Sequence, residues 1–153
     1  MNFKQLRLIV ESLDDQLFTD VSYEEALDLY NRLSEKEKKY VAPRGKYVDS
    51  PALILRKGLI NDNCCYAFCD VYHFKDDDPD TGIIIVAVDP MNRGDGSGKR
   101  AVREAMKAAK KQGITKFIYR VDKTNKPSQG LVKSLGGKLV DENEKDLKFE
   151  IKQ

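Results

Sequence analysis

The spacing of apolar positions along this chain changes several times, and each change marks a new element. From Ala26 to Leu33 the apolar residues Ala26, Leu27, Tyr30 and Leu33 fall on one helical face. Ser22-Tyr23-Glu24-Glu25 opens that stretch with the form of a capping box, in which serine and glutamate side chains satisfy each other's backbone amides. The pattern predicts one helix running to about Tyr40, stopped by Pro43 and Gly45. Upstream, Phe3, Leu6, Ile9, Val10, Leu13 and Leu17 recur at mostly helical spacing, so residues 3–18 read as a helix, with a strand over residues 6–10 as the alternative.

Downstream the period shortens. Residues 51–60 and 64–74 read as an antiparallel strand pair across Asn61-Asp62-Asn63, residue types that favour a turn. An acidic turn, Asp76-Asp77-Asp78-Pro79-Asp80, leads into the apolar strand that starts at Ile83. Residues 97–111 form the next helix, burying Val102, Ala105, Met106 and Ala109 and presenting Lys99, Arg103, Lys107 and Lys111 on another face, with Gly113 as its stop. A β-prone run at 114–121, a short helix at 128–135 ended by Gly136-Gly137, and a hairpin from 138–141 and 147–151 complete an α+β sheet flanked by helices.

Composition adds limits. A chain of 153 residues fits a single domain over residues 1–153, with a helical N-terminal part at about 1–45 and a core at about 50–153. The net charge of +2, from 27 basic and 25 acidic residues, carries no global nucleic-acid or membrane signature. No apolar run approaches the ~20 residues of a membrane span, and Lys4 and Arg7 mix with Glu11, Asp14 and Asp15 where a signal peptide would be basic then apolar. These features lead to the expectation of a cytoplasmic protein, monomeric or homodimeric, with neither nucleic acid nor membrane as partner.

The chemistry concentrates after the strand at Ile83. Val88-Asp89-Pro90 is followed by Arg93-Gly94-Asp95-Gly96-Ser97-Gly98 and then by the basic helix. A strand feeding a glycine-rich turn that opens a helix suits phosphate, because first-turn amides lack intrahelical partners and the helix dipole favours an anion. A P-loop would need glycine where Arg93 stands and a hydroxyl residue where Arg100 stands. A dinucleotide fingerprint forced onto Gly96, Gly98 and Ala101 is separated from its strand by residues 89–93, and Asp122 lies too far along to be its acidic partner. What fits is V-x-P-x-x-R-G-x-G-x-G over Val88, Pro90, Arg93, Gly94, Gly96 and Gly98. Some thirty residues later, Asn125-Lys126-Pro127-Ser128 leads to Leu135-Gly136-Gly137.

These two motifs, in this order, resemble the acyl-CoA-binding signatures of the GNAT superfamily of N-acyltransferases. The resemblance covers the chain from about Ile83 onward. It implies a mixed, mostly antiparallel central sheet and transfer of an acetyl group from acetyl-CoA to a primary amine, on a small molecule or a peptide, by direct attack in a ternary complex. It further implies that pyrophosphate sits on the amides around Gly94, Asp95, Gly96, Ser97, Gly98 and Lys99, with Arg93 adding charge. Backbone groups near Val86 and Val88 would pair with pantetheine, and Asn125 and Ser128 would help hold the cofactor.

For the acid that returns a proton to the thiolate, the family's usual tyrosine is absent: Val132 and Lys133 occupy that stretch. Tyr119, Tyr72 and His73 are the substitutes, and Asp70 is a candidate base. Cys64, Cys65 and Cys69 with His73 match no standard zinc spacing, and Asp76, Asp78 and Asp80 lack the glycine and glutamate of an EF-hand, so no metal is expected. A different class of function follows from the missing tyrosine: a catalytically weak acyl-CoA sensor or partner-binding protein. The resemblance also implies that the N-terminal helices and the loop before Ile83 roof the acceptor side, so the acids at 14, 15, 20, 24, 25, 28, 76, 77, 78 and 80 suggest a carboxylate-rich mouth that steers a cationic acceptor.

Overall fold

The computed structural model describes Asn2 and residues 18–153. Of the helix read over residues 3–18, with a strand over 6–10 as the alternative, residues 3–17 lie outside the described residues and Phe18 begins a strand. A short strand, β1 (Phe18–Asp20), precedes α1 (Tyr23–Arg32) and α2 (Glu35–Val41), and then come β2 (Leu53–Asn61), β3 (Cys64–Tyr72) and β4 (Thr81–Val88). After a 3-10 turn at Pro90–Asn92 follow α3 (Ser97–Lys110), β5 (Lys116–Asp122), α4 (Lys126–Ser134), β6 (Lys138–Glu142) and β7 (Asp146–Lys152). The seven strands form one sheet in the order β1-β2-β3-β4-β5-β7-β6. Every neighbouring pair is antiparallel except β4 and β5.

The single helix expected to reach Tyr40 is two helices. Leu33 and Ser34 are both extended, with ψ of 154° and 160°. Ser34-Glu35-Lys36-Glu37 is a second capping box, hidden in the sequence by its charged surroundings: Ser34 Oγ accepts from the Glu37 amide while Glu37 Oε1 accepts from Ser34. Buried Leu33 anchors the break in the core and sends α2 off in a new direction, toward the end of β4. The β2–β3 turn meets its expectation, with Asp62 and Asn63 at φ of 50° and 61°, the left-handed pair that a two-residue hairpin needs.

The sheet separates two apolar clusters. Ala67, Cys69 and Val71 of β3 pack with Ala101, Val102, Ala105 and Ala109 of α3 and with Val132 of α4. Phe68 of the same strand packs with Leu29 and Tyr30 of α1 and with Tyr47 in the other cluster. Alternation along β3 therefore sends neighbouring side chains to opposite faces, α3 and α4 covering one and α1 and α2 the other.

Candidate active site

The site is made by two strands that part. β4 and β5 pair only at Thr81 with Lys116, Gly82 with Phe117 and Ile83 with Ile118, and then diverge. On its other edge β4 stays paired with β3 as far as Val88, and the Asp89 amide donates to the Tyr66 carbonyl at 2.8 Å. Antiparallel backbone groups alternate between edges, so those of Val88 and Val86 turn away from β3, toward the space that β5 has left. That space is a cleft of about 730 Å³, lined by the ends of these strands, the 92–99 loop, α2 on one face of the sheet and α4 on the other. The size is that of a small-molecule site.

The loop leaves open space beside the first turn of a helix. Gly94 and Gly96 have φ of +82° and +84°, and a Cβ built on either would meet no atom within 4 Å, so the space above them is open. Asp95 Oδ1 takes the Ser97 amide at 2.9 Å. Burial pushes the Asp95 carboxyl up, but hydrogen bonds from Ser97 and Asn92 outweigh it and leave the group below the usual carboxylate range. The first amide of α3 to reach an intrahelical carbonyl is that of Arg100, bonded to Gly96 at 3.0 Å. The amides of Gly98 and Lys99 come before it, where a helix start offers donors to a ligand. Gly98 has a second duty: a Cβ there would stand 2.8 Å from Val88 Cγ2, so its bareness lets α3 pack on β4. Arg100 is elsewhere, its guanidinium 4.9 Å from the centre of the Phe18 ring.

Val86, Val88, Arg93, Gly94, Asp95, Gly96, Ser97, Gly98, Lys99, Asn125 and Ser128 all line this one cleft. Asn125 caps α4, its Oδ1 accepting from the Ser128 amide at 3.3 Å. Tyr119 stands behind the lining. It is 7% exposed and its hydroxyl donates to Ser128 Oγ at 3.2 Å. Burial pushes the phenol up to about 12, a poor match to an acid working near neutrality.

Asp70 and His73 are corrected by the geometry. Asp70 is fully buried on the α1 side of β3, with Oδ1 held by Arg56 Nε at 2.7 Å and Oδ2 by the hydroxyls of Tyr47 and Tyr72, at 2.5 and 2.6 Å. Burial pushes its carboxyl up against the pull of Arg56 and the two tyrosines. With both oxygens committed, this is an internal strut, and Tyr72 is spent on it. His73 Nδ1 lies 2.8 Å from the carbonyl of Thr81, at the start of β4, roughly 23 Å of strand away from Val88. The Asp76–Asp80 turn lies at that same far end and cannot form the mouth of the cleft. Cys65 and Cys69 are buried on β3, where desolvation pushes the Cys65 thiol up to about 12.

The sequence reading missed the α2 wall, which supplies Ser34, Lys36, Glu37 and Tyr40. Its signal was the second capping box. Arg93 bridges the loop to this wall: its guanidinium is ion-paired with Glu37 Oε2, and its Nε and Nη2 donate to the Val88 carbonyl at 3.3 and 3.0 Å. Tyr40 reaches across to Thr124 Oγ1 at 2.7 Å, and Thr124 donates its own proton to Asp122 at 2.7 Å. Asp122 is held below the usual carboxylate range by the Thr124 hydroxyl and amide. Ionised, it can only accept, so the proton between Tyr40 and Thr124 belongs to Tyr40.

Residues 22–136 match the model of the acetyltransferase (GNAT) family. Curated proteins give no match to this sequence. Among solved structures, the GNAT domain of S. lividans PAT superposes with a TM-score of 0.72 at 14% identity, over 89% of each chain. The PaiA N-acetyltransferase of Thermoplasma acidophilum, solved in complex with coenzyme A, gives 0.68 at 16% identity, over 89% of this chain and 98% of that one. The ribosomal-protein-S18-alanine N-acetyltransferase of Escherichia coli gives 0.65 at 16% identity, over 88% and 92%. Among the described residues no helix is long and apolar enough to cross a membrane, and no group of three or more His, Cys, Asp or Glu could hold a metal ion.

Proposed function

Because the chain belongs to the acetyltransferase (GNAT) family, we propose that it is an N-acetyltransferase moving the acetyl group of acetyl-CoA to a primary amine by direct attack while both are bound. The observation that carries this reading is the parting of β4 from β5 beside the open first turn of α3. Bound acetyl-CoA would supply an acyl group activated as a thioester. Gly94 to Lys99 would hold its pyrophosphate on backbone amides, and the β4 edge turned away from β3 at Val86 and Val88 would pair with its pantetheine amides once Arg93 leaves the Val88 carbonyl. The Val88 amide would stabilise the oxyanion.

Tyr40 would hold the proton needed by the leaving thiolate. Val132 is fully buried, so α4 has no hydroxyl at the position where the family's tyrosine is usual, while Tyr40 is the tyrosine on the cleft wall. The acceptor amine would enter from the α2 side, and its owner is a small molecule or a peptide. The reading includes a single domain over residues 1–153, in the cytoplasm, as monomer or homodimer.

A thermal-shift series tests the donor. Acetyl-CoA at a hundred times its Kd should stabilise the fold by about 2.7 kcal/mol and NAD should not. Stabilisation by NAD alone would remove the reading. The buried Val132 also favours a second function, that of a catalytically weak acyl-CoA sensor. Saturable CoA release with any amine of a panel excludes a pure sensor.

A further inference from the structure

Arg93 is committed twice, and both of its partners lie where a donor would compete. Its guanidinium pairs with Glu37 Oε2 and covers the Val88 carbonyl. The backbone it belongs to runs directly into the anion-accepting turn at Gly94. Its side chain is 44% exposed, so an incoming ligand can reach it. A pyrophosphate arriving beside it offers more charge than one carboxylate, in the geometry that a guanidinium binds bidentately.

Glu37 is the partner left behind. Its Oε1 is spent on Ser34, at 2.8 Å from Oγ and 3.4 Å from the amide. Its Oε2 is buried and faces Arg93. Among the described residues, the other carboxylate on the cleft is Asp95, which spends its oxygens on the Ser97 amide and on Asn92. Once Arg93 moves, the partly buried Glu37 carboxylate has lost its paired cation, a state that a new cation relieves.

Resting on the acetyltransferase reading, we infer that Arg93 and Glu37 form a latch worked by the acyl donor. The donor's pyrophosphate takes the guanidinium, and Glu37 then receives the ammonium group of a cationic acceptor. The cation-binding site thus exists only in the donor complex.

Calorimetry with CoA tests the latch without any acceptor. Glu37→Gln keeps the capping oxygen but releases Arg93, so CoA affinity should rise at least threefold. Arg93→Gln should weaken CoA about tenfold, and adding Glu37→Gln to it should change nothing further. Normal binding by the wild type with unchanged or weaker binding by Glu37→Gln overturns the latch alone. No CoA binding by the wild type overturns the latch and the acetyltransferase reading together. The acceptor half is read in the wild type by the carbon-13 resonance of the Glu37 carboxyl. n-Butylammonium at low salt should move it with CoA bound and leave it unmoved without CoA. An equal response in both states, or none in either, overturns that half.

Discussion

The Tyr40 hydroxyl lies 2.7 Å from Thr124 Oγ1, so the α2 wall of the cleft touches the head of α4 across its mouth. Because Thr124 commits its own proton to Asp122, Tyr40 keeps a proton directed across the cleft. The ring also lies 6.0 Å from Lys36 Nζ, a cation-π contact within α2.

Tyr40→Phe should lower kcat by about a hundredfold, the lower end of what a positioned acid contributes, with acetyl-CoA affinity unchanged. Steady-state kinetics on a turned-over amine, with calorimetry for the donor, measures both. Full activity in Tyr40→Phe, or loss of activity confined to Tyr119→Phe, moves the acid elsewhere.

Gly96 separates charge from shape in the loop. At φ +84° and ψ 3° it has the left-handed conformation that asparagine and aspartate tolerate best after glycine. Gly96→Asn and Gly96→Asp should fold alike, and Gly96→Asp should bind CoA at least tenfold more weakly than Gly96→Asn. Equal affinities would mean that no phosphate sits there. Gly98→Glu is a poorer probe, since the clash with Val88 disturbs packing as well as binding.

Asn125 has a structural duty and an open donor. Its Oδ1 caps α4, and its amide nitrogen is available to a ligand. Asn125→Asp preserves the capping oxygen and should hold stability within about 0.5 kcal/mol, whereas Asn125→Ala should lose about 1 kcal/mol. Both should weaken acetyl-CoA by about 1 to 2 kcal/mol if the nitrogen serves the cofactor. A loss of stability without a loss of affinity, measured by urea unfolding and calorimetry, reduces Asn125 to a cap.

Tyr119 predicts an alkaline limit on stability. Its folded pKa is raised by burial from 10.0 to about 12, so between those values the unfolded chain has lost a proton that the folded chain keeps. Stability from this group is therefore complete below pH 10 and is lost as pH rises toward 12, by about 2 to 3 kcal/mol. Urea midpoints across that window should fall more steeply for the wild type than for Tyr119→Phe. Parallel slopes would show that Tyr119 ionises freely in the folded state.

Much of this protein is written in local pattern. The hairpin at Asp62-Asn63, the strand from Thr81 to Val88, the glycine turn and the capped helix at Asn125 each follow from neighbours a few residues apart, because turn geometry and capping are short-range. The loop residues were legible for the same reason: a left-handed glycine before a helix announces itself in sequence. One local signal was overlooked, the capping box at Ser34, because the charged run from Glu35 to Lys39 resembles any solvated helix face.

What the chain alone could not show depends on contacts between distant segments. Asp70 and His73 carry titratable groups on a strand beside the site, but only the pleat and the direction of β3 decide that one faces Arg56 and the other the start of β4. Tyr40 meets Thr124 across 84 positions, and Arg93 of the glycine loop meets Glu37 of α2. No spacing rule encodes such pairs. They exist because β4 and β5 part after three residue pairs, which lets helices from opposite faces of the sheet approach the same opening. Sequence determined the glycine turn before α3; tertiary structure decided which acids, bases and cations share its cleft.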